Sequence, residues 1–315
     1  MPNNLVGTAI KGSTISEVQT NIARAEELGV HAAWMTTGGT SLDSLTCFAA
    51  SAATTTNIKL GTSIIPTYPR HPLVVAQQAQ VVAQLAPNRL RIGVGPSHRP
   101  MIESMGIDFH APLGNLREYI QVLKHILQNG SVDFQGEHYS ATASIPVPLD
   151  IQVMGSALRT GSFELCGAVA DGAISWICPG VYLRDAALPA MEKGAKEAGR
   201  AMPPLIAHAP VCVHDNPDEV RSAIREQFGH PGLPFYQNML IASGYPEASN
   251  GRWSDAMIDA VAILGDEETC YQRIQELFAM GAAEVLASPV TAGSDKASTL
   301  DRTMRLLGQS AASVR

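Results

Sequence analysis

The sequence predicts a (β/α)8 barrel. Three observations carry that prediction. Short apolar runs alternate with helix-period runs along the whole chain. Eight such pairs fit into 315 residues, and no linker or low-complexity tract separates them. Residues 1–315 therefore read as one domain. A doubly wound open sheet is the competing arrangement, and the count of eight favours the barrel.

The first apolar run spans 5–10. Thr14 to Glu17 has the pattern of a capping box, and behind it Ile15, Val18, Ile22, Ala25 and Leu28 recur at helical spacing until Gly29. A second strand spans 30–37, and Leu42, Leu45, Phe48, Ala49 and Ala52 mark the helix after it. "IKLGTSIIP" is the third strand, ended by Pro66. His71 and Pro72 open the next helix, whose buried stripe is Val75, Ala79, Val82 and Ala86. "RLRIGV" is the fourth strand, followed by a helix over 116–128 and a small hairpin over 131–140 that turns at Gly136. "LDIQVMG", "GAISWIC" and "PLIAHAPVCVH" are strands five to seven, each followed by a helix. Residues 229–256, rich in Pro, Gly, Ser and Asn, break the rhythm after strand seven, as a lid or a disordered tip would. "GDEETCYQRIQELFAMG" is a helix capped by Asp266, "AEVLASPV" is strand eight, and a helix over 300–307 closes the chain.

Composition narrows the class. With 45% hydrophobic residues the chain can bury a large core without cross-links. A formal net charge of -7 and the lack of a Lys/Arg run argue against a nucleic-acid partner. Five cysteines, none in a CxxC spacing, read as buried thiols in a reducing cytoplasm. The opening "MPNNLVGTAIKG" lacks the basic start and apolar core of a signal peptide, and no apolar run is long enough for a membrane span.

Motif tests are mostly negative. Gly93-Val-Gly95 invites the dinucleotide fingerprint, but His98 stands where the third glycine belongs. P-loop, zincin and nucleophile-elbow patterns are missing, and the nine histidines lack ligand spacing, so no metal is expected. Position remains as a guide, because barrels bind and react at the C-terminal ends of their strands. The residues just there are Thr36, Thr37 and Gly38, then Ser63, then Pro96, Ser97 and His98, then Gly155, Ser156 and Ala157.

The run "KLGTSIIPTYPRHPLVVAQQAQVVAQLAPNRLRIGVGPSHRP" strongly resembles the luciferase-like flavin and deazaflavin oxidoreductases. The resemblance continues through "LREYIQVLKHIL" and "GSFELCGAVADGAISWI" and covers most of the chain. Its most specific part, Thr67 to Pro72 with Gly95 to His98, looks like the branch that uses coenzyme F-420, an 8-hydroxy-5-deazaflavin. The resemblance implies a (β/α)8 barrel with an insertion after strand seven, a homodimer, and a non-prolyl cis peptide at Ser63-Ile64 backing the cofactor ring. It implies hydride transfer between C5 of the deazaflavin and a small organic substrate. The same-fold alternative is an FMN monooxygenase fed by a separate reductase, and a further one is a barrel that has lost turnover.

Each candidate has a plainer reading beside the functional one. Gly95, Pro96 and Ser97 either end a strand or meet the cofactor's ribityl chain and phosphate. Gly155, Ser156 and Ala157 admit a ligand close to the backbone, and Arg159 either pairs with phosphate or faces solvent. Arg70 and His71 are expected to cap and orient their loop. Trp176 lines the pocket or packs in the core. Thr36 and Thr37 stand where the sugar-phosphate dehydrogenase branch has an acidic residue and a catalytic histidine, so that substrate class lacks its histidine here, while the two threonines are read as hydrogen-bonding the cofactor ring. His98 is left as the candidate proton carrier, against a structural or cofactor-contacting role.

Overall fold

Eight parallel strands close on themselves, and helices wrap the ring. The computed structural model describes residues 4–314; the first three residues of the opening stretch and Arg315 lie outside them. Among the described residues twelve strands form: β1 (Leu5–Ala9), β2 (Ala32–Met35), β3 (Lys59–Thr62) and its short continuation β4 (Ile65–Pro66), β5 (Leu90–Gly95), β6 (Ser131–Gln135), β7 (Ser140–Ser144), β8 (Gln152–Ser156), β9 (Ala173–Ile174), β10 (Leu205–Val213), β11 (Ile263–Gly265) and β12 (Glu284–Pro289). Around the ring the order is β1-β2-β3-β5-β8-β9-β10-β12, and β12 pairs with β1 to close it. These are the eight strands expected from the sequence. The hairpin β6-β7 forms a separate antiparallel sheet.

Local chemistry explains the helix boundaries. Thr14 caps Ile15–Glu27 by accepting from the Glu17 N–H, but the Glu17 carboxylate reaches one residue further back, to Ser13. Asp266 caps Glu267–Ala279 through the Thr269 N–H at 2.9 Å. His71 caps Pro72–Leu85 with its own ring nitrogen. Glu118 closes the hairpin turn by accepting from the N–H groups of Glu137, His138 and Tyr139.

The stretch 229–256 is structured, which removes the disordered tip from the two readings of it. It holds a helix at Pro234–Ala242, a 3-10 turn at Pro246–Asn250, and the start of a helix at Asp255–Val261. Its prolines sit in first turns, and Gly244 and Gly251 take left-handed φ values of 95° and 67° at helix ends. The residues that look like breakers are thus caps of short helices. The segment then enters β11, which the sequence pattern concealed; it pairs in parallel with Val211 to Val213 at the end of β10.

The ring interior is built by alternation. Ala32, Trp34, Met154, Ile174, Ile206 and Leu286 form an inner cluster, distinct from the outer core under the helices. At its N-terminal end Arg91 pairs with both Glu284 oxygens at 2.6 and 3.1 Å, and Trp34 donates to Glu284 at 2.7 Å. Gly7 and Gly61 make room there: a Cβ at either would lie within 2.7 Å of the indole. No described helix is long and apolar enough to cross a membrane.

Candidate active site

Two residues beyond each inner-cluster position, the side chains reach the C-terminal rim. By this register Thr36, Ser156, Trp176, His208 and Ser288 follow Trp34, Met154, Ile174, Ile206 and Leu286. The Arg91–Glu284 ion pair lies at the N-terminal end of the ring, and polar and aromatic groups gather at the rim, with the Lys11 charge near His208.

One wall is the turn between β3 and β4. The Ser63-Ile64 peptide bond is cis. The Thr36 hydroxyl donates to the Ser63 carbonyl at 2.6 Å, and the Thr37 N–H donates to the Ile64 carbonyl at 3.1 Å. Thr37 also shares a 2.6 Å hydrogen bond with the Ser44 hydroxyl. The two threonines therefore clamp this turn. The Ser63 hydroxyl is buried and has no protein partner.

Gly95 faces this wall. A Cβ there would meet the Ser156 hydroxyl at 2.1 Å and the Ile64 side chain at 3.3 Å. The absent side chain lets β5 and β8 approach at the rim. At Gly155 the side-chain direction is the other way. Its missing Cβ admits Cys166 at 2.6 Å and Ile120 at 3.2 Å, so its openness serves the outer helices. Ala157 is also buried in the outer core, leaving Ser156 as the side chain of this trio at the mouth. Arg159 is exposed at the start of helix Thr160–Val169. Arg70 pairs with Asp43 at 2.8 Å and orients its loop.

The β5 loop turns sharply. Ser97 takes a left-handed φ of 63° and its hydroxyl points to the Met101 sulfur, while Pro96 and His98 are half-buried beside it. His98 does not cap the short helix behind it. Its Nε2 lies 3.2 Å from the Tyr236 hydroxyl, on the helix Pro234–Ala242. Burial holds the His98 imidazole below its ordinary value of 6.5, so it is neutral at neutral pH.

On the opposite wall the sequence reading weighed Trp176 but missed its neighbours. Ile177 has φ 45°, rare for a β-branched residue, just past β9. Beside this turn Trp176 rests on His208 with ring centroids 4.3 Å apart and meets Phe228 edge-on at 5.6 Å. His208 Nε2 lies 2.9 Å from the Ser288 hydroxyl. Burial, reinforced by the Lys11 charge, pushes His208 down to about 3. Lys11 is itself solvent-accessible, yet the protein atoms around it lower its pKa; a concave wall produces both effects. The available signal was parity: His208 is an ionisable residue in the middle of an apolar strand, on the inward phase. Phe228 and Tyr236 gave no such signal, because their placement depends on how the 229–256 segment folds back.

A separate open cleft of about 580 Å³, lined by Asp215, Arg221, Asp259, Asp266 and Arg273, lies beside β11. Arg221 is already engaged by Asp218 and Asp259, which makes this an ion-paired groove.

The family model for luciferase-like monooxygenases matches residues 3–284. The chain belongs to this family. Within the luciferase-like family, it is 26% identical to the 5,10-methylenetetrahydromethanopterin reductase of Methanopyrus kandleri over 90% of each chain. It is 32% identical to the coenzyme F-420-dependent glucose-6-phosphate dehydrogenase of Beutenbergia cavernae over 60% of this chain and 59% of that one. The barrel superimposes on the coenzyme F-420-dependent tetrahydromethanopterin reductase structure from Methanopyrus kandleri with a TM-score of 0.78 at 24% identity, covering 99% of both chains. It also matches the oxygenating constituent of 3,6-diketocamphane monooxygenase from Pseudomonas putida, solved with FMN, with a TM-score of 0.73 at 16% identity over 99% of this chain and 98% of that one. The shared luciferase-like fold thus holds deazaflavin-dependent and FMN-containing members alike.

Proposed function

We propose that this protein is a coenzyme F-420-dependent oxidoreductase that moves hydride between C5 of the deazaflavin and a small organic substrate. The observation that carries the reading is the back wall of the mouth: a buried Ser63 hydroxyl without a protein partner, beside a Gly95–Ser156 contact too tight for any side chain at Gly95. A planar ring with polar edges fits such a wall, because it meets the orphaned hydroxyl and lies against the Ile64 side chain. The relatives named for coenzyme F-420 support the cofactor assignment.

When bound, the deazaflavin would supply or accept the hydride. The protein's share is placement and proton handling. Ser63 and Ile64, held by Thr36 and Thr37, back the ring. Pro96 and Ser97, with Ser156 and the backbone of Gly155 and Ala157, border the chain that leaves it. Arg159, exposed at the start of Thr160–Val169, suits a phosphate. His98, neutral and at the rim, accepts the proton of a substrate hydroxyl as its carbon gives up hydride, and returns it in the reverse direction. Segment 229–256 acts as the lid, since its Tyr236 meets His98.

The protein is also proposed to be a cytoplasmic homodimer. All five cysteines are free and buried, as a reducing compartment permits. Helix Pro72–Leu85 carries no charged residue and exposes Val74, Val81 and Leu85 on one face, which suits a second copy of this chain.

Titration of the purified protein with coenzyme F-420 and, separately, FMN, followed by fluorescence, tests the assignment. Binding of coenzyme F-420 is expected. Binding of FMN alone would select a monooxygenase supplied by a separate reductase, and binding of neither would select a non-catalytic member.

A further inference from the structure

We infer that Lys11 determines the substrate class: its ammonium group, standing above His208 and Ser288 at the mouth, takes a carboxylate of the substrate. The small organic substrate is then a carboxylic acid, ionised at neutral pH. This deepens the proposed hydride transfer and rests on that reading for the rest of the pocket.

Adjacent strands build this corner: β10 pairs with β12, and β12 with β1. On β1, Ala9 packs against the inner cluster while Ile10 lies in the outer core. The ladder continues past the strand end, because the Ile10 N–H donates to the Trp34 carbonyl at 2.8 Å. Alternation therefore makes Lys11 the next inward position. The pairing of Thr8 with Ala287 sets Ala9 level with Ser288 and Lys11 one step nearer the opening. The Asn21 side-chain amide donates to the Lys11 carbonyl at 2.8 Å and fixes the backbone there. The ammonium reaches the wall, since its charge helps to depress His208. Among the described residues no carboxylate answers it: burial alone shifts its pKa, downward, and no acidic group raises it. A cation partly withdrawn from water without a counterion gains most from a ligand that brings one. The His208–Ser288 pair below it, 2.9 Å apart, adds polarity but no charge, because His208 is neutral at neutral pH. A single compact charge suits a carboxylate better than a phosphate dianion. The proposed cofactor phosphate already has Arg159, which follows β8. In the ring β2, β3 and β5 separate β1 from β8 on one side, and β9, β10 and β12 on the other, so Lys11 and Arg159 belong to opposite sides of the barrel.

The test is calorimetric titration of the full chain, both alone and saturated with coenzyme F-420. The probes are secondary hydroxy acids of three to six carbons and, in parallel, their amides. Each amide keeps the skeleton and the hydroxyl and removes the charge. At least one acid is expected to bind about tenfold more tightly than its amide, the worth of a charge-assisted hydrogen bond. Lys11→Met and Lys11→Gln are expected to bring that pair to equal affinity, and Lys11→Arg to keep the preference. A panel in which no acid exceeds its amide, whether both bind or neither does, would overturn the inference without recourse to any variant. A preference that survives Lys11→Met would do the same. So would a Lys11→Met variant that loses affinity for coenzyme F-420 instead, since the ammonium would then belong to the cofactor. The hydride-transfer reading fails separately, if coenzyme F-420 does not bind the unmodified protein; the comparison of acid with amide on the free chain is read whatever that result.

Discussion

The Arg91–Glu284 pair closes the N-terminal end of the ring with charge, and Trp34 caps it. Arg91 stacks over the indole at 4.4 Å while its guanidinium holds both carboxylate oxygens. Removing one partner strands a buried charge. Glu284→Gln is expected to destabilise the protein by about 3–5 kcal/mol, measured by urea denaturation followed through the tryptophans. His208 makes a second prediction. Its pKa in the folded protein is depressed to about 3, against 6.5 ordinarily, so the unfolded chain binds a proton that the folded one refuses. Its contribution is fully present above pH 6.5 and is lost as pH falls from there toward 3. His208→Asn should flatten the melting temperature's fall across that window, relative to the unmodified protein.

Strands and loops set the close contacts at the rim. Strands β5 and β8 meet where Gly95 and Ser156 touch, and the outcome depends on both residues. Gly95→Ala forces the Ser156 side chain away and is expected to weaken cofactor binding at least tenfold by fluorescence titration, at a stability loss of about 1–3 kcal/mol. Adding Ser156→Gly should recover most of the stability, because the clash is with that side chain. The periodic elements here were legible from the sequence: all eight ring strands and the capped helices follow from hydrophobic period and end signals. β11 was not, since three residues carry no period. The short helices of 229–256 were not either, because proline and glycine mark helix ends and loops alike.

For the molecule as a whole, the uncharged face of Pro72–Leu85 predicts a dimer in solution. A Val81→Arg, Leu85→Arg double variant is expected to shift the mass by light scattering from two chains to one, with the far-ultraviolet circular dichroism unchanged. An unmodified protein that already runs as a single chain would sink the dimer assignment.

Much of the site was legible as positions. Ser63, Ser97, His98 and Ser156 were marked by standing at strand ends and Ile64 by the family resemblance, and those five lie at the mouth or on its border. The same rule did not tell which way Gly155 and Ala157 face, because adjacent residues of one strand face opposite sides and only register tells which is inside. It could not reach Tyr236 or Phe228, whose positions at the mouth depend on packing of a segment more than a hundred residues away from His98. The sequence by itself determined the ring, since alternation and helical period are local properties written in every stretch. Only the tertiary structure decided which polar groups meet across the mouth, because closure of the ring and the fold-back of 229–256 join residues that no local pattern relates.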